Sequence, residues 1–311
     1  MDERLTHIDL FSGIGGFGLA AGWAGFETIA FCENEPYCQE VLKERFGGYV
    51  ADSGQLGLQG TQPIGDAVCR KTRKKGGSQA SRASGLYPPI IPNIRDFDGT
   101  KFRGATLLTG GFPCQPFSVA GKRGGKEDDR YLWPEMLRVI KDAQPTWIVA
   151  ENVAGIVHMA LGQVLSDLEG CGYDFPRDVE GYPIVPVIPA SAVNAPHRRD
   201  RVWVIGYSKR GGCNGKEIPI FSGESRQADI DVARPTGWDI PWLEVASRFC
   251  VLDDELSGGL VGYLGTTEAH LKVRNLHRVK KLKALGNAIV PAVAFEILRG
   301  IAEIENGNKT S

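Results

Sequence analysis

The first half of the chain alternates short apolar, β-branched runs with amphipathic stretches, a pattern that predicts a mostly parallel sheet with helices on both faces. Strands are expected near 7–11, 28–33, 91–95, 105–110, 146–151 and 201–207. Apolar positions fall at helical spacing over 36–46, 131–143 and 160–168, and again over 292–305. Two stretches break the rhythm. Residues 53–89 are rich in Gly, Ser and Gln and carry Arg70, Lys71, Arg73, Lys74, Lys75 and Arg82 with little to bury, so they are expected to be an inserted flexible loop. Because the helix over 36–46 should start at the carboxyl edge of the sheet, this loop is expected to emerge at the opposite edge. From 208 to 283 the alternation stops, turn residues abound, and Trp238 and Trp242 point to a small separate core. The expected organisation is therefore a main α/β domain over 1–207, a second domain over 208–283, and a segment, 284–311, that returns to the first.

Composition narrows the possibilities. A chain of 311 residues with 42% hydrophobic residues can bury one large core plus a smaller module. With 36 Lys+Arg against 37 Asp+Glu, the net charge of -1 excludes a uniformly basic nucleic-acid binder, so a polyanion must be met by local patches. The opening residues lack the basic and apolar regions of a secretory signal, and no uncharged apolar run reaches the roughly 18 residues of a membrane span, so a cytoplasmic protein with no membrane partner is expected. The cysteines, Cys32, Cys38, Cys69, Cys114, Cys171, Cys213 and Cys250, form no C-x-x-C pair. That pattern predicts neither a metal site nor a disulfide framework. It also excludes a zinc nucleobase deaminase, since Phe117 stands where the second cysteine after Pro113-Cys114 should be.

The candidate chemistry gathers where strands end. The first strand runs into Ser12-Gly13-Ile14-Gly15-Gly16, a glycine turn that brings backbone amides close to a ligand at a helix N-terminus. Glu33 ends the next strand, where a carboxylate can accept the ribose hydroxyls of a nucleoside, although a plain glycine turn with a solvated carboxylate reads the same way. The same geometry serves a dinucleotide or any other adenosine-containing cofactor. The strand over 105–110 leads to Pro113-Cys114-Gln115-Pro116-Phe117-Ser118, and that over 146–151 leads to Glu151-Asn152-Val153. In an open parallel sheet these ends share one crevice, so a thiol, a carboxyl and the glycine turn should face each other. A cysteine is more often a buried small hydrophobe, but a rigid proline turn at this edge favours a nucleophile for Cys114.

These motifs, in this order, resemble the DNA (cytosine-5) methyltransferase family. The resemblance runs from Asp9-Leu10-Phe11-Ser12-Gly13 through Glu33-Asn34-Glu35-Pro36, Arg95-Asp96-Phe97, the Pro-Cys-Gln-Pro-Phe-Ser turn and Glu151-Asn152-Val153. It continues through Pro196-His197-Arg198-Arg199-Asp200-Arg201 to Gly286-Asn287-Ala288-Ile289-Val290-Pro291. Three features depart from the pattern: the insertion is longer than the family's connector, an arginine-containing motif before Gly286 has no clear copy, and His197 stands where Gln is frequent. The resemblance implies a Rossmann-like, S-adenosylmethionine-dependent methyltransferase core with a smaller inserted target-recognition domain. It implies Cys114 as nucleophile toward carbon 6 of cytosine, Glu151 as the proton-sharing partner of N3, and Arg199 and Arg201 as holders of the base. Phe11, Ser12, Gly13, Gly15, Gly16, Glu33, Asp96, Phe97, Asn287 and Ala288 are implied to line the cofactor. Gln115, Ser118, Lys122 and Arg130 are implied to meet DNA, the last three within a lid-like loop over 118–130. The basic run over 270–283 suits phosphate contact. The partner implied is double-stranded DNA, with the base flipped out of the stack, and the protein is expected to be a monomer that shares its target with a restriction endonuclease without a stable complex. A tRNA cytosine methyltransferase, a non-catalytic DNA-binding relative and, more remotely, an NAD-dependent dehydrogenase are the competing readings.

Overall fold

The computed structural model describes residues 4–51, 87–113, 131–195, 197–209, 280–281 and 283–309. The chain begins β1 (Leu5–Leu10), α1 (Gly16–Trp23), β2 (Phe26–Cys32), α2 (Pro36–Phe46), β3 (Tyr49–Val50) and β4 (Pro89–Ile91). It continues with β5 (Leu107–Gly110), α3 (Trp133–Ala143), β6 (Trp147–Val153), α4 (Ile156–Met159), α5 (Leu161–Gly170), β7 (Tyr173–Asp174), β8 (Val187–Ile188), β9 (Arg201–Ser208) and α6 (Pro291–Lys309). Among the described residues the strands form one sheet in the order β3-β4-β2-β1-β5-β6-β9-β7, with β8 also on β9. The six strands from β3 to β6 run parallel, and β9 lies antiparallel to β6.

Strand periodicity sorts side chains between two cores, because successive residues point to opposite faces. Ile8 and Leu10 of β1, Ile148 and Ala150 of β6, and Val202 and Val204 of β9 pack with Met136, Val139 and Ile140 of α3. Leu5, Trp147, Val149, Trp203 and Ile205 point the other way, onto Phe17 and Ala20 of α1 and Val293, Leu298 and Ile301 of α6. The stretch Lys283–Gly307 is long and apolar enough to cross a membrane by length and composition. Its apolar side chains from Val293 to Ala302 lie in this second core.

The sequence-based expectations hold for most elements, with α2 at its predicted bounds, and fail at identifiable places. The strand expected at 91–95 lies earlier, at Pro89–Ile91, and Ile94–Asp96 forms a 3-10 turn instead. Pro92 has no N–H for a ladder, and Asn93 accepts a hydrogen bond from the Arg95 amide at 3.0 Å, which starts the turn. A second correction concerns the insertion. The short β3 pairs parallel with β4, Tyr49 opposite Pro89 and Val50 opposite Ile90, so it turns the chain back toward the carboxyl edge before residue 52. The chain thus enters 52–86 from the edge that carries the glycine turn, not from the opposite one. The interior of that insertion lies outside the described residues, as does nearly all of the expected second domain, since β9 ends at Ser208 and description resumes at 280.

Candidate active site

The glycine turn is fixed from below by buried polar groups. Phe11 adopts φ 55°, followed by Gly13 at φ 54° and Gly15 at φ 84°, so the chain reverses through three left-handed residues between β1 and α1. For a phenylalanine that backbone is costly and persists only where surroundings impose it. Here the Ser12 amide donates to the Cys32 carbonyl at 3.0 Å, and the Ser12 hydroxyl donates to the Asp9 carbonyl at 2.7 Å. A methyl on Gly13 would meet nothing within 4 Å, so its Cα borders open space.

Glu33 is buried one residue beyond β2, between two backbone donors: the Gly13 amide at 2.7 Å and the Glu35 amide at 2.8 Å. Burial raises its pKa, opposed by those amides. Phe11 is half-buried against the core, Ser12 and Gly16 are buried, and Asp96 is exposed on the 3-10 turn. Phe97 lies in the core, 1% exposed, its ring 5.4 Å from that of Phe102. Asp96 and Phe97 are therefore not brought together on one surface. The open face at Gly13, beside the fixed Glu33 carboxylate and Phe11, suits an adenosine-containing group.

The second cluster forms at the ends of β5, β6 and β9. Gly110 pairs with Ala150, so Glu151 stands one residue past the aligned ends, while Gly111, Phe112 and Pro113 continue from β5. Val153 pairs with Arg201, which places Arg201 two residues along from the partner of Glu151 and on the same sheet face. Arg201 Nε accordingly meets Glu151 Oε1 at 2.8 Å, with side-chain exposures of 19% and 10%. Burial raises the Glu151 pKa despite the opposing charges of Arg201 and Arg199, so desolvation outweighs the ion pair. A methyl on Gly111 would approach Glu151 Oε2 to 3.2 Å, and Asn152 Nδ2 donates to the Phe112 carbonyl at 3.0 Å. Glu151 is thus packed against the segment that leads into Cys114.

Arg199, at φ 40°, points elsewhere: its Nη2 donates to the carbonyls of Gly286 at 2.7 Å and Ala288 at 2.8 Å. Asn287, between those two residues, is exposed, and Ala288 is half-buried. Cys114, Gln115, Ser118, Lys122 and Arg130 lie outside the described residues, as does Pro196.

Sequence reasoning missed the polar residues under the turn. His7 is fully buried between the hydroxyls of Thr28, 2.9 Å from Nδ1, and Thr109, 2.8 Å from Nε2, and burial lowers its pKa to about 3. Asp9 is also fully buried and accepts from the Gly18 amide at 3.0 Å; burial raises its pKa well above the usual carboxylate range. Only their spacing of two, which puts both on the α1 face, was visible beforehand. Arg138 of α3 was likewise missed; it donates to the carbonyls of Ile94 at 2.7 Å and Phe97 at 2.9 Å and so fixes the turn bearing Asp96.

The family model for C-5 cytosine-specific DNA methylase matches residues 5–62 and 81–240. The chain is 30% identical over 223 residues to the type II methyltransferase M.HpaII of Haemophilus parainfluenzae, covering 70% of this chain and 50% of that protein. It is 32% identical over 278 residues to the type II methyltransferase M.PspPI of Psychrobacter sp. (strain TA137), covering 76% of this chain and 65% of that one. The chain thus spans between half and two thirds of the length of these curated relatives. Among solved structures, the S. pombe Dnmt2 methyltransferase matches 66% of this chain and 51% of its own at 21% identity, with a TM-score of 0.42.

Proposed function

The chain belongs to the C-5 cytosine-specific DNA methylase family, and from that premise we propose that it methylates carbon 5 of a cytosine within a specific sequence of double-stranded DNA, using S-adenosylmethionine. The observation that carries this reading is the buried Glu151–Arg201 pair, set one residue beyond the last β5–β6 pairing and against Gly111, three residues before Cys114. When bound, S-adenosylmethionine supplies an electrophilic methyl group. The Gly13–Gly16 backbone, Glu33 and Phe11 would hold it, with Asp96 at the adenine end.

The residues of the chain address the poor nucleophilicity of carbon 5. The Cys114 thiolate adds to carbon 6, and the ring electrons move toward carbon 5 as N3 gains positive character. A free thiol has a pKa of about 8.5, so the site must raise its thiolate fraction. Glu151 is suited to share a proton at N3, because burial keeps its carboxyl inclined to hold one while Arg201 fixes its orientation. Carbon 5 takes the methyl group, leaving S-adenosylhomocysteine; loss of the carbon 5 hydrogen as a proton to solvent then returns its electron pair to the ring and expels the Cys114 sulfur as thiolate. The target base must leave the duplex stack to reach these groups. Gln115, Ser118, Lys122 and Arg130 are the proposed DNA contacts of the loop after Cys114. The type II naming of the relatives supports pairing with a restriction endonuclease of the same specificity; its acting separately and the monomeric state of this chain are further parts of the proposal.

The test is methyl transfer from labelled S-adenosylmethionine to genomic duplex DNA and, in parallel, to tRNA, with digestion to nucleosides. Label in 5-methyl-2′-deoxycytidine is expected. Label confined to tRNA would overturn the choice of substrate, and label in another nucleoside would overturn the reaction.

A further inference from the structure

The return segment 283–291 bridges the two halves of the site. Ala284 packs with Ile14 and Cys38 beside the glycine turn, and Lys283 Nζ lies 3.8 Å from Glu35 Oε2, next to Glu33. Ile289 fills the space where Gly16 lacks a side chain: a methyl there would stand 2.7 Å from Ile289 Cγ1. These contacts seat the segment on the cofactor side. On the other side its carbonyls at Gly286 and Ala288 face the single nitrogen of Arg199, two residues before the Arg201 that holds Glu151.

Three features make this link more than a surface contact. The helical turn over 283–287 ends at these carbonyls, and a cation there satisfies acceptors that a helix terminus leaves open. Among the described residues the hydrogen-bond acceptors of Arg199 are these two carbonyls and not a carboxylate. Its left-handed backbone at φ 40° is unfavourable for a side-chain-bearing residue and is held while the side chain reaches the return segment.

We propose that Arg199 is a positioning residue that clamps the return segment 286–289 against the glycine turn, coupling the cofactor pocket to the Glu151–Arg201 pair. It acts through the segment rather than by touching the base. The inference rests on the proposed use of S-adenosylmethionine. It departs from a base-holding role, which would leave cofactor binding in the absence of DNA unaffected.

The experiment measures S-adenosylhomocysteine affinity by calorimetry on the full chain without DNA, for the unsubstituted protein, Arg199→Ala, Arg199→Lys, Ile289→Ala and the double variant Arg199→Ala/Ile289→Ala. Arg199→Ala should weaken binding about tenfold, equivalent to about 1.4 kcal/mol. Arg199→Lys keeps one nitrogen able to donate to both carbonyls and should recover part of the loss. Because Arg199 and Ile289 hold the same segment, the double variant should lose less than the product of the single losses. A general loss of stability would not produce that pattern. Unchanged affinity in Arg199→Ala, multiplicative losses in the double variant, or Arg199→Lys no better than alanine would each overturn the clamp. If the unsubstituted chain fails to bind, the parent reading falls and the clamp with it; binding there with no effect of Arg199→Ala removes the clamp alone.

Discussion

Replacing Glu151 by Gln separates what this carboxyl does for the reaction from what it does for the fold. The ion pair with Arg201 is short, at 2.8 Å, and nearly dry, with side-chain exposures of 10% and 19%. Removing one partner of a buried pair outright, as in Glu151→Ala, costs about 3–5 kcal/mol, because a buried charge is left behind. Gln also leaves Arg201 without a counter-charge, but it keeps the oxygen that accepts from Arg201 Nε, so the loss is the charge-assisted share of that bond, about 1–2 kcal/mol. Burial already disfavours that charge more than the two arginines favour it, which offsets part of the loss. Glu151→Gln should therefore unfold within about 1–2 kcal/mol of the unsubstituted protein. S-adenosylhomocysteine binding should be unchanged, while methyl transfer falls by about 10²- to 10⁴-fold, the usual contribution of a positioned acid or base. Urea denaturation, calorimetry and label transfer measure the three quantities on one preparation. Activity within about threefold of the unsubstituted protein would refute the proton-sharing role, since that role leaves no route around the missing proton.

Two further outcomes follow from the same geometry. Gly111→Ala places a methyl 3.2 Å from Glu151 Oε2, so the carboxylate must give by a few tenths of an ångström; methyl transfer should fall while the urea midpoint moves little, and an unchanged rate would show that Glu151 tolerates displacement. His7 is held neutral with its pKa lowered to about 3 against an ordinary 6.5, so the unfolded chain takes up a proton that the fold excludes. The associated stability is fully present above pH 6.5 and is lost as pH falls toward 3, by about 3 kcal/mol at pH 4. His7→Gln removes this dependence, and a stability difference between the two proteins that is equal at pH 7 and pH 4 would count against it.

The contrast between what the sequence revealed and what it hid follows from the range of the interactions. Local signals were legible: the apolar runs of β1, β5, β6 and β9, the helical spacing of α2, and the glycines whose positive φ builds the turn. The pairing of Glu151 with Arg201 depends on an antiparallel register fixed across 50 residues of chain, which periodicity within either strand does not encode. β3 is two residues long, too short to show an alternation, yet it reverses the direction from which the insertion departs. His7 and Asp9 look like solvent-facing alternations in an apolar strand. They are buried because Thr28, Thr109 and the Gly18 amide, from three other elements, supply their partners. Arg199 shares the arginine-rich motif with Arg201, and nothing local distinguishes one that meets a carboxylate from one that meets two carbonyls.

In the proposed reaction Cys114 bonds to carbon 6 of a cytosine during methyl transfer to carbon 5. Fluorine at carbon 5 cannot leave as a cation, so the sulfur stays attached once the methyl group has arrived. A long duplex in which every cytosine carries 5-fluorine contains the target whatever its sequence. Incubated with the full chain and S-adenosylmethionine, it should yield a denaturant-resistant adduct whose peptide map places the bond on Cys114, and Cys114→Ala should yield none. No adduct from a preparation that methylates ordinary duplex DNA, or a bond on any other cysteine, would contradict the account.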